Sequence, residues 1–448
     1  MESDGLPLAR RRWSMTTVAL VTAMAVLDGV IANVALPSIA RALDVSPAAS
    51  IWVINAYNIA IVATLLPLAS LGEILGYRRV YQAGVLLFTL ASLACALSHS
   101  LPMLIAARVV QGLGAAGIMS MNSAMIRFSY PRAMLGRAVG FTAIVVALAS
   151  AAGPSIAAAI LSVADWPWLF AVNVPLGVAA LIVGQFALPR IAPAPRRFDA
   201  LAAVLNALTF GALFMGVEGI TEGTRPVLSA FETAAGLAAG AALVLRSLGQ
   251  PRPLAPVDLL RIPLFAMAMA TSVASFLAQN FAFVALPFLM EYAFHRTPVE
   301  TGLLMTPWSL AVAAVAPISG RLADRYPGGI IAAAGLALLG AGLIALALLP
   351  AAPSAFDIGW RMVIGGVGFA LFQSPNNRQL LSSAPTERAG SAGGMLATAR
   401  LTGQTVGAVL VALVFRAAVG PPSPKILLIA AASAFVAAVL SWLKPDRG

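Results

Sequence analysis

Leu71-Gly72-Glu73-Ile74-Leu75-Gly76 has a counterpart in Leu322-Ala323-Asp324-Arg325-Tyr326-Pro327-Gly328, with Glu73 and Asp324 separated by 251 residues. Val34-Ala35-Leu36-Pro37 returns as Val284-Ala285-Leu286-Pro287, 250 residues later. Arg108-Val109-Val110-Gln111-Gly112 returns as Arg361-Met362-Val363-Ile364-Gly365 at an offset of 253. Chance supplies one such match. Three in the same order at nearly one offset argue for two copies of one unit, about residues 14–188 and 262–443.

Composition says what the unit is made of. The 448 residues are 60% apolar and only 10% charged, where a soluble chain is about half apolar and a quarter charged. A membrane span takes roughly 20 apolar residues, so there is material for about thirteen or fourteen. Apolar stretches run at about 14–40, 50–71, 80–98, 102–126, 136–162, 168–188, 200–220, 228–248, 262–290, 299–320, 328–350, 358–381, 390–418 and 425–443. Each copy therefore holds six helices, and two more lie between them, flanked by the Pro- and Arg-rich stretches 189–197 and 251–256. Six is even, so both copies enter the membrane in the same direction. This is the pattern of parallel repeats, with a substrate site expected between the halves near midplane. The expected organisation is an all-α polytopic protein: a tail at 1–13, a six-helix bundle at 14–188, a linker with two extra helices at 189–261, and a second bundle at 262–448.

The formal charge of +11 suggests nucleic acid until its distribution is read. Alternate connections place 20 of the 28 Lys and Arg residues on the side of both termini and 5 on the other, with Arg108, Arg361 and Arg400 inside spans. Positive residues stay cytoplasmic. Both termini are thus expected inside a cell or plasma membrane, in contact with lipid and not with nucleic acid. The first span exceeds a signal-peptide core and lacks a cleavage pattern, so it is expected to remain. One cysteine, Cys95, excludes a disulfide framework. With only His99 and His295 beside it, neither a metal site nor a nucleophile–base set for a membrane enzyme can be assembled. A channel needs a selectivity ring, which is not visible; a non-transporting membrane sensor stays as a lesser alternative, with no sizeable soluble domain to relay a signal. No cofactor is expected.

The buried charges carry the chemistry. Asp28 sits well inside span 1, where an ionised carboxylate is costly and usually functional. Arg108 lies at a similar depth in span 4. The two are expected to pair, as a poised proton carrier or as a static ion pair. Glu73 and Asp324 sit beside Arg78, Arg79 and Arg325, with Gly76 and Gly328 allowing a tight turn. That arrangement reads as a latch of the inner gate or as a solvated turn. Arg400 lies about ten residues, roughly 15 Å, into span 13. Tyr57, Asn58, Gln111, Asn122, Gln279, Asn280, Phe283, Trp308, Arg361, Phe372, Gln373, Asn376 and Gln404 are candidates to line a substrate cavity.

The motifs resemble a known family. Ala69-Ser70-Leu71-Gly72-Glu73-Ile74-Leu75-Gly76-Tyr77-Arg78-Arg79 is similar to the helix 2–3 loop signature of the major facilitator superfamily, with Glu73 in place of the usual Asp. Arg108, Gln111, Gly112 and Gly114 resemble its helix 4 signature. Gly140, Ala149, Gly153, Pro154, Ala157 and Ala158 have the spacing of its antiporter motif, and Arg400, Gly403 and Gly407 match a further family run. LDGVIANVALPSI (27–39) and WPWLFAVNVPLG (166–177) look like signatures of the fourteen-helix drug:proton antiporter branch. The resemblance implies a monomeric exporter of amphipathic small molecules driven by the proton gradient, with Gly140, Gly153 and Pro154 setting export direction. Asp28 is the lone acid read as deep, against Arg108, Arg361 and Arg400. An exporter of an anionic, zwitterionic or neutral metabolite is therefore the second reading.

Overall fold

A computed structural model of the chain describes residues 5–131, 134–191, 198–222, 226–250, 253–323, 325–385, 388–417 and 423–444. Among these there are helices and turns and no strands, and fourteen helices are long and apolar enough to cross a membrane. In order they are α1 (Leu8–Ala42), α2 (Pro47–Leu75), α3 (Tyr77–Ala96), α4 (Leu101–Ser129), α5 (Leu135–Leu161) and α6 (Pro167–Ala187). The inserted pair is α7 (Ala200–Glu222) and α8 (Pro226–Leu248). Then follow α9 (Pro263–Ala293), α10 (Pro298–Leu322), α11 (Gly328–Ala347), α12 (Ala355–Ser383), α13 (Ala389–Ala417) and α14 (Pro424–Trp442). The protein is a multi-pass membrane protein of the expected all-α class.

Several helix ends differ from the sequence reading, the start of α1 and the end of α9 among them. α1 starts at Leu8, inside the expected tail, because Arg10 donates from Nε and NH2 to the Ala187 and Leu188 carbonyls at 3.2 and 2.9 Å. Those carbonyls end α6 and have no helical partner of their own, so a cation there extends one helix while capping another. α9 does not stop at 290 either. It passes through a π-helical turn, Leu289–Ala293, and carries Glu291 with it.

Helix starts follow local chemistry. Thr297 and Glu300 form a capping box at α10, and Ser354 and Asp357 form one at α12. Each box satisfies two orphan backbone donors reciprocally. Among the described residues, Asp44 (φ 50) and His295 (φ 52) are the non-glycine residues in the left-handed region, one after α1 and one after α9, 251 residues apart. The repeat thus extends to backbone dihedrals.

Packing divides the chain into two compact units. One comprises residues 1–29, 56–149 and 166–255, including the inserted helices; the other comprises 30–55, 150–165 and 256–448. Within the first unit, buried Asn206 of α7 donates to the Ala63 carbonyl of α2 at 2.7 Å. This ties the inserted pair to α2. Within the second, Ser155 and Thr306 share a hydrogen bond of 2.8 Å. A Cβ on Gly302 would lie 2.6 Å from the Pro154 carbonyl oxygen, so residues 150–165 pack directly on α10.

Candidate functional site

The first unit holds a buried polar cluster built on α1, α3, α4 and α6. Arg108 NH1 donates to Asp28 Oδ2 and to Gln111 Oε1, each at 2.6 Å. Gln111 Nε2 donates to Asp28 Oδ1 at 2.8 Å and to Ser92 Oγ at 2.9 Å. Asn173 Nδ2 donates to the same Oδ1 at 2.9 Å. The guanidinium lies 4.1 Å from the centre of the Tyr57 ring and 5.5 Å from that of Phe170. Asp28 is 2% exposed and Arg108 0%. Every contact on Asp28 is one that a carboxylate accepts. An isolated charge at this depth would be prohibitive, and the opposite charge with its hydrogen bonds compensates it. The expected Asp28–Arg108 pair is therefore present, and it is larger than a pair.

The second repeat does not copy this cluster, and its packing shows why. A Cβ on Gly112 would strike the Tyr57 carbonyl oxygen at 2.6 Å and Ala60 Cβ at 2.7 Å; on Gly366 it would strike the Trp308 carbonyl oxygen at 2.4 Å and Ala311 Cβ at 3.0 Å. Tyr57 corresponds to Trp308 at 251, but α4 corresponds to α12 at 254. The counterpart of Arg108 is then Met362, not Arg361, and that of Gln111 is Gly365, whose Cβ position lies 2.4 Å from the Trp308 ring. One residue is about 100° of rotation on a helix. Arg361 accordingly turns away, with NH1 donating to the Asp357 carbonyl oxygen at 2.6 Å and lying 3.3 Å from the Asp357 carboxylate. The expectation of Arg361 as an unmatched deep charge is corrected: it has an acid four residues before it.

α2 runs through Glu73 to Leu75 and α3 begins at Tyr77, so the expected loop is reduced to Gly76. Gly76 takes φ +98, a conformation that a side chain resists. Arg78 NH2 donates to the Gln185 carbonyl oxygen and lies 3.2 Å from Gln185 Oε1, binding the start of α3 to α6. Glu73 is half-buried, while Arg79 and Arg325 are exposed. Asp324 lies outside the described residues. Gly328 does not have a positive φ. Its constraint is space, since a Cβ there would come 3.1 Å from Gln379 Nε2. Of the antiporter-motif positions, Gly153 allows close approach, with a Cβ falling 2.5 Å from Val30 Cγ1, and Pro154 supplies the carbonyl beside Gly302. Gly140 stands open, with nothing within 4 Å.

The cavity candidates differ in burial and in what they contact. Asn280 Nδ2 donates to the Gln404 carbonyl oxygen at 2.6 Å. Phe283 meets Trp308 edge-on at 5.4 Å, and Phe372 meets Phe276 at 6.3 Å. Asn376 is fully buried and spans Ser272 Oγ at 2.7 Å and Lys444 Nζ at 2.6 Å. Burial pushes the Lys444 ammonium down to about 7. Asn58 is buried, whereas Gln373, Arg400 and Gln404 are half-buried. Asn122 donates to Thr22 Oγ1 at 3.0 Å. Its Oδ1 is buried without a hydrogen-bond partner, as is Gln279 Oε1. Such groups cost free energy unless something fills them.

Three polar residues escaped the sequence reading. Ser92 and Asn173 complete the Asp28 cluster. Asn173 stands in the quoted stretch 166–177, where a side-chain amide amid apolar residues was the available signal. Glu291, one residue beyond the expected end of span 9, is buried with Arg41 NH2 at 2.6 Å from Oε2. Asp28 is therefore not the only buried acid among the described residues.

Comparison with known proteins follows this geometry. The Major Facilitator Superfamily profile matches residues 18–408. The chain is 50% identical over 446 residues to the uncharacterized transporter YebQ of Escherichia coli (strain K12), covering 99% of this chain and 98% of that one. It is 32% identical to the multidrug resistance protein Stp of Mycobacterium tuberculosis (strain CDC 1551 / Oshkosh), covering 86% and 72%. It is 29% identical to the riboflavin transporter RibZ of Clostridioides difficile (strain 630), covering 87% and 85%. A repeat of six helices, the signature loop after α2 and a profile match across nearly the whole chain agree: the protein is a transporter of the Major Facilitator Superfamily.

Proposed function

We propose that the protein is a proton-coupled antiporter that exports amphipathic, toxic small molecules across the cell membrane by alternating access. The observation that carries the reading is the buried Asp28–Arg108–Gln111–Asn173 cluster. A carboxylate held by three donors at membrane depth can exchange a proton only when its contacts rearrange, and that ties protonation to conformation. The proton enters from outside and leaves inside, and substrate drawn from the cytoplasm favours the deprotonated form. A few kcal/mol of differential affinity is enough for such coupling. Within the first unit, the buried Asn122 Oδ1 is an acceptor ready for a substrate donor. The similarity to a multidrug resistance protein supports the substrate class. No cofactor is required beyond the proton gradient, and a monomer suffices.

A second reading, export of an anionic, zwitterionic or neutral metabolite, is favoured by the half-buried Arg400 and by the similarity to a riboflavin transporter. Inverted vesicles loaded alternately with a cationic and an anionic dye separate the two. The proposal expects gradient-driven uptake of the cation. Uptake of the anion alone selects the second reading, and uptake of neither under an imposed gradient overturns both.

The charge asymmetry orients the chain with both termini cytoplasmic. In whole cells on a Cys95→Ala background, impermeant maleimide is expected to label exposed His99→Cys and to miss exposed Leu8→Cys. The reverse pattern inverts the topology.

A further inference from the structure

Glu291 lies in the π-helical turn Leu289–Ala293 that ends α9, and its side chain is 1% exposed. Arg41, in the last turn of α1, brings NH2 to 2.6 Å from Oε2 while remaining 47% exposed. The contact has the distance of an ion pair without the alignment of a hydrogen bond. Arg41 also donates to Ser38 Oγ at 3.3 Å and lies 5.9 Å from the centre of the Tyr292 ring. Other charged groups stand on the neighbouring segments: Asp44 after α1, His295 and Arg296 after α9, Glu300 in α10 and Arg416 near the end of α13. Arg296 is turned to the Pro353 carbonyl oxygen at 2.7 Å and to Glu300 at 3.7 Å, which leaves Glu291 to Arg41.

We propose that Glu291 is a second proton-binding carboxyl, loaded from outside, and that its ion pair with Arg41 fastens the outer ends of α1 and α9 together until Glu291 is protonated. This rests on the orientation adopted above. The burial is lopsided: the acid is enclosed and its cation faces solvent, so the route for a proton is the one that Arg41 marks. An enclosed carboxylate is tolerated because it is paired. Once protonated it no longer needs the cation, and only the Ser38 hydroxyl and the Tyr292 ring then hold Arg41.

The placement on α1 gives this site a purpose distinct from that of Asp28. The Asp28 cluster belongs to the unit containing residues 1–29, and Arg41 and Glu291 belong to the unit containing 30–55 and 256–448. α1 (Leu8–Ala42) carries both Asp28 and Arg41. Asp28 and Arg41 are thirteen residues apart on it, about 20 Å at helical rise. A proton arriving at Glu291 frees the outer end of the helix that carries the deep acid. The outer carboxyl thereby admits the proton that Asp28 then carries.

Impermeant maleimide labelling of Asn33→Cys, a buried α1 position, tests this in right-side-out vesicles on the Cys95→Ala background. Rates are normalised at each pH to His99→Cys, which removes the intrinsic pH dependence of thiol reactivity. As the outside pH falls from about 8 to about 4.5, the lower limit set by the ordinary carboxyl range, normalised labelling should rise about fivefold or more. Glu291→Gln and Arg41→Gln should label fast at both pH values, while Asp28→Asn should keep the pH response. Glu291→Asp preserves the charge and should keep it too, which covers the case in which Glu291→Gln fails to fold. A flat response in the parent overturns the proposal. So does a parent-like response in Glu291→Gln or, where that variant does not fold, in Arg41→Gln. Loss of the response in Asp28→Asn also overturns it. The assay needs neither substrate nor transport, so its failure and the failure of the export reading are separable.

Discussion

Asp28→Asn is expected to abolish proton-driven accumulation, a fall of about a hundredfold or more in inverted vesicles, because an amide of the same shape cannot carry the coupling proton. The variant should also lose stability. Arg108 is 0% exposed, and removing one partner of a buried pair costs about 3–5 kcal/mol when the remaining charge has nothing else. Here Gln111 Oε1 at 2.6 Å and the Tyr57 ring at 4.1 Å remain with the guanidinium, so the loss should fall toward the lower end. The double variant Asp28→Asn/Arg108→Gln removes both charges and should recover most of the thermal stability in detergent without recovering accumulation. That split separates a coupling role from a structural one. If Asp28→Asn accumulates substrate at close to the parent rate, or if the double variant transports normally, the cluster is only structural.

The asymmetry between the repeats makes this prediction specific to one half. Two copies of a unit inherit the same joints, but only the first filled its joint with charge. Where the first copy has Arg108, Gln111 and Tyr57, the second has Met362, Gly365 and Trp308, and the Trp308 ring occupies the space that a side chain at Gly365 would take. The second unit is held there by aromatic packing and van der Waals contact, which carry no proton.

How much of this was legible in the sequence depends on length scale. Helix number and class follow from apolar runs, since any twenty-residue apolar stretch must satisfy its own backbone as a helix in lipid. The Asp28–Arg108 pairing followed from depth, because two opposite charges at similar levels in membrane have few other solutions. Register was the limit. Matching Arg108 to Arg361 by residue identity was one position off, and only the glycine contacts reveal the offset of 254. Contact geometry was equally hidden. No local pattern shows that residues 30–55 and 150–165 pack with the second repeat, since that is decided by side chains hundreds of residues away. Glu291 was missed for a related reason: an acid at a span boundary reads as solvated until a π turn carries it inward.

Gly114→Leu and Gly368→Leu are each expected to prevent accumulation of folded protein, and the reason is the same joint built twice. A Cβ on Gly114 would lie 2.5 Å from the Phe88 backbone nitrogen and 2.8 Å from the Gly84 carbonyl oxygen; on Gly368 it would lie 2.4 Å from the Leu339 nitrogen and 2.7 Å from the Gly335 oxygen. Phe88 and Leu339, like Gly84 and Gly335, are 251 residues apart. The obstacles are backbone atoms of α3 and α11, which cannot rotate aside as the tip of a side chain can. Small residues at such crossings let helices approach closely in lipid, where packing replaces the hydrophobic drive. The alanine variants provide the measurable series. Alanine gains about 1 kcal/mol of helix propensity over glycine, against about 1–3 kcal/mol for overpacking a close contact, so Gly114→Ala and Gly368→Ala should lower the melting temperature in detergent. At Gly211 and Gly359 a Cβ meets nothing within 4 Å, so alanine there should be neutral or slightly stabilising. Equal effects at all four positions would mean that the crossings tolerate separation, and the α3–α4 and α11–α12 joints would then not be the rigid elements that hold each unit together.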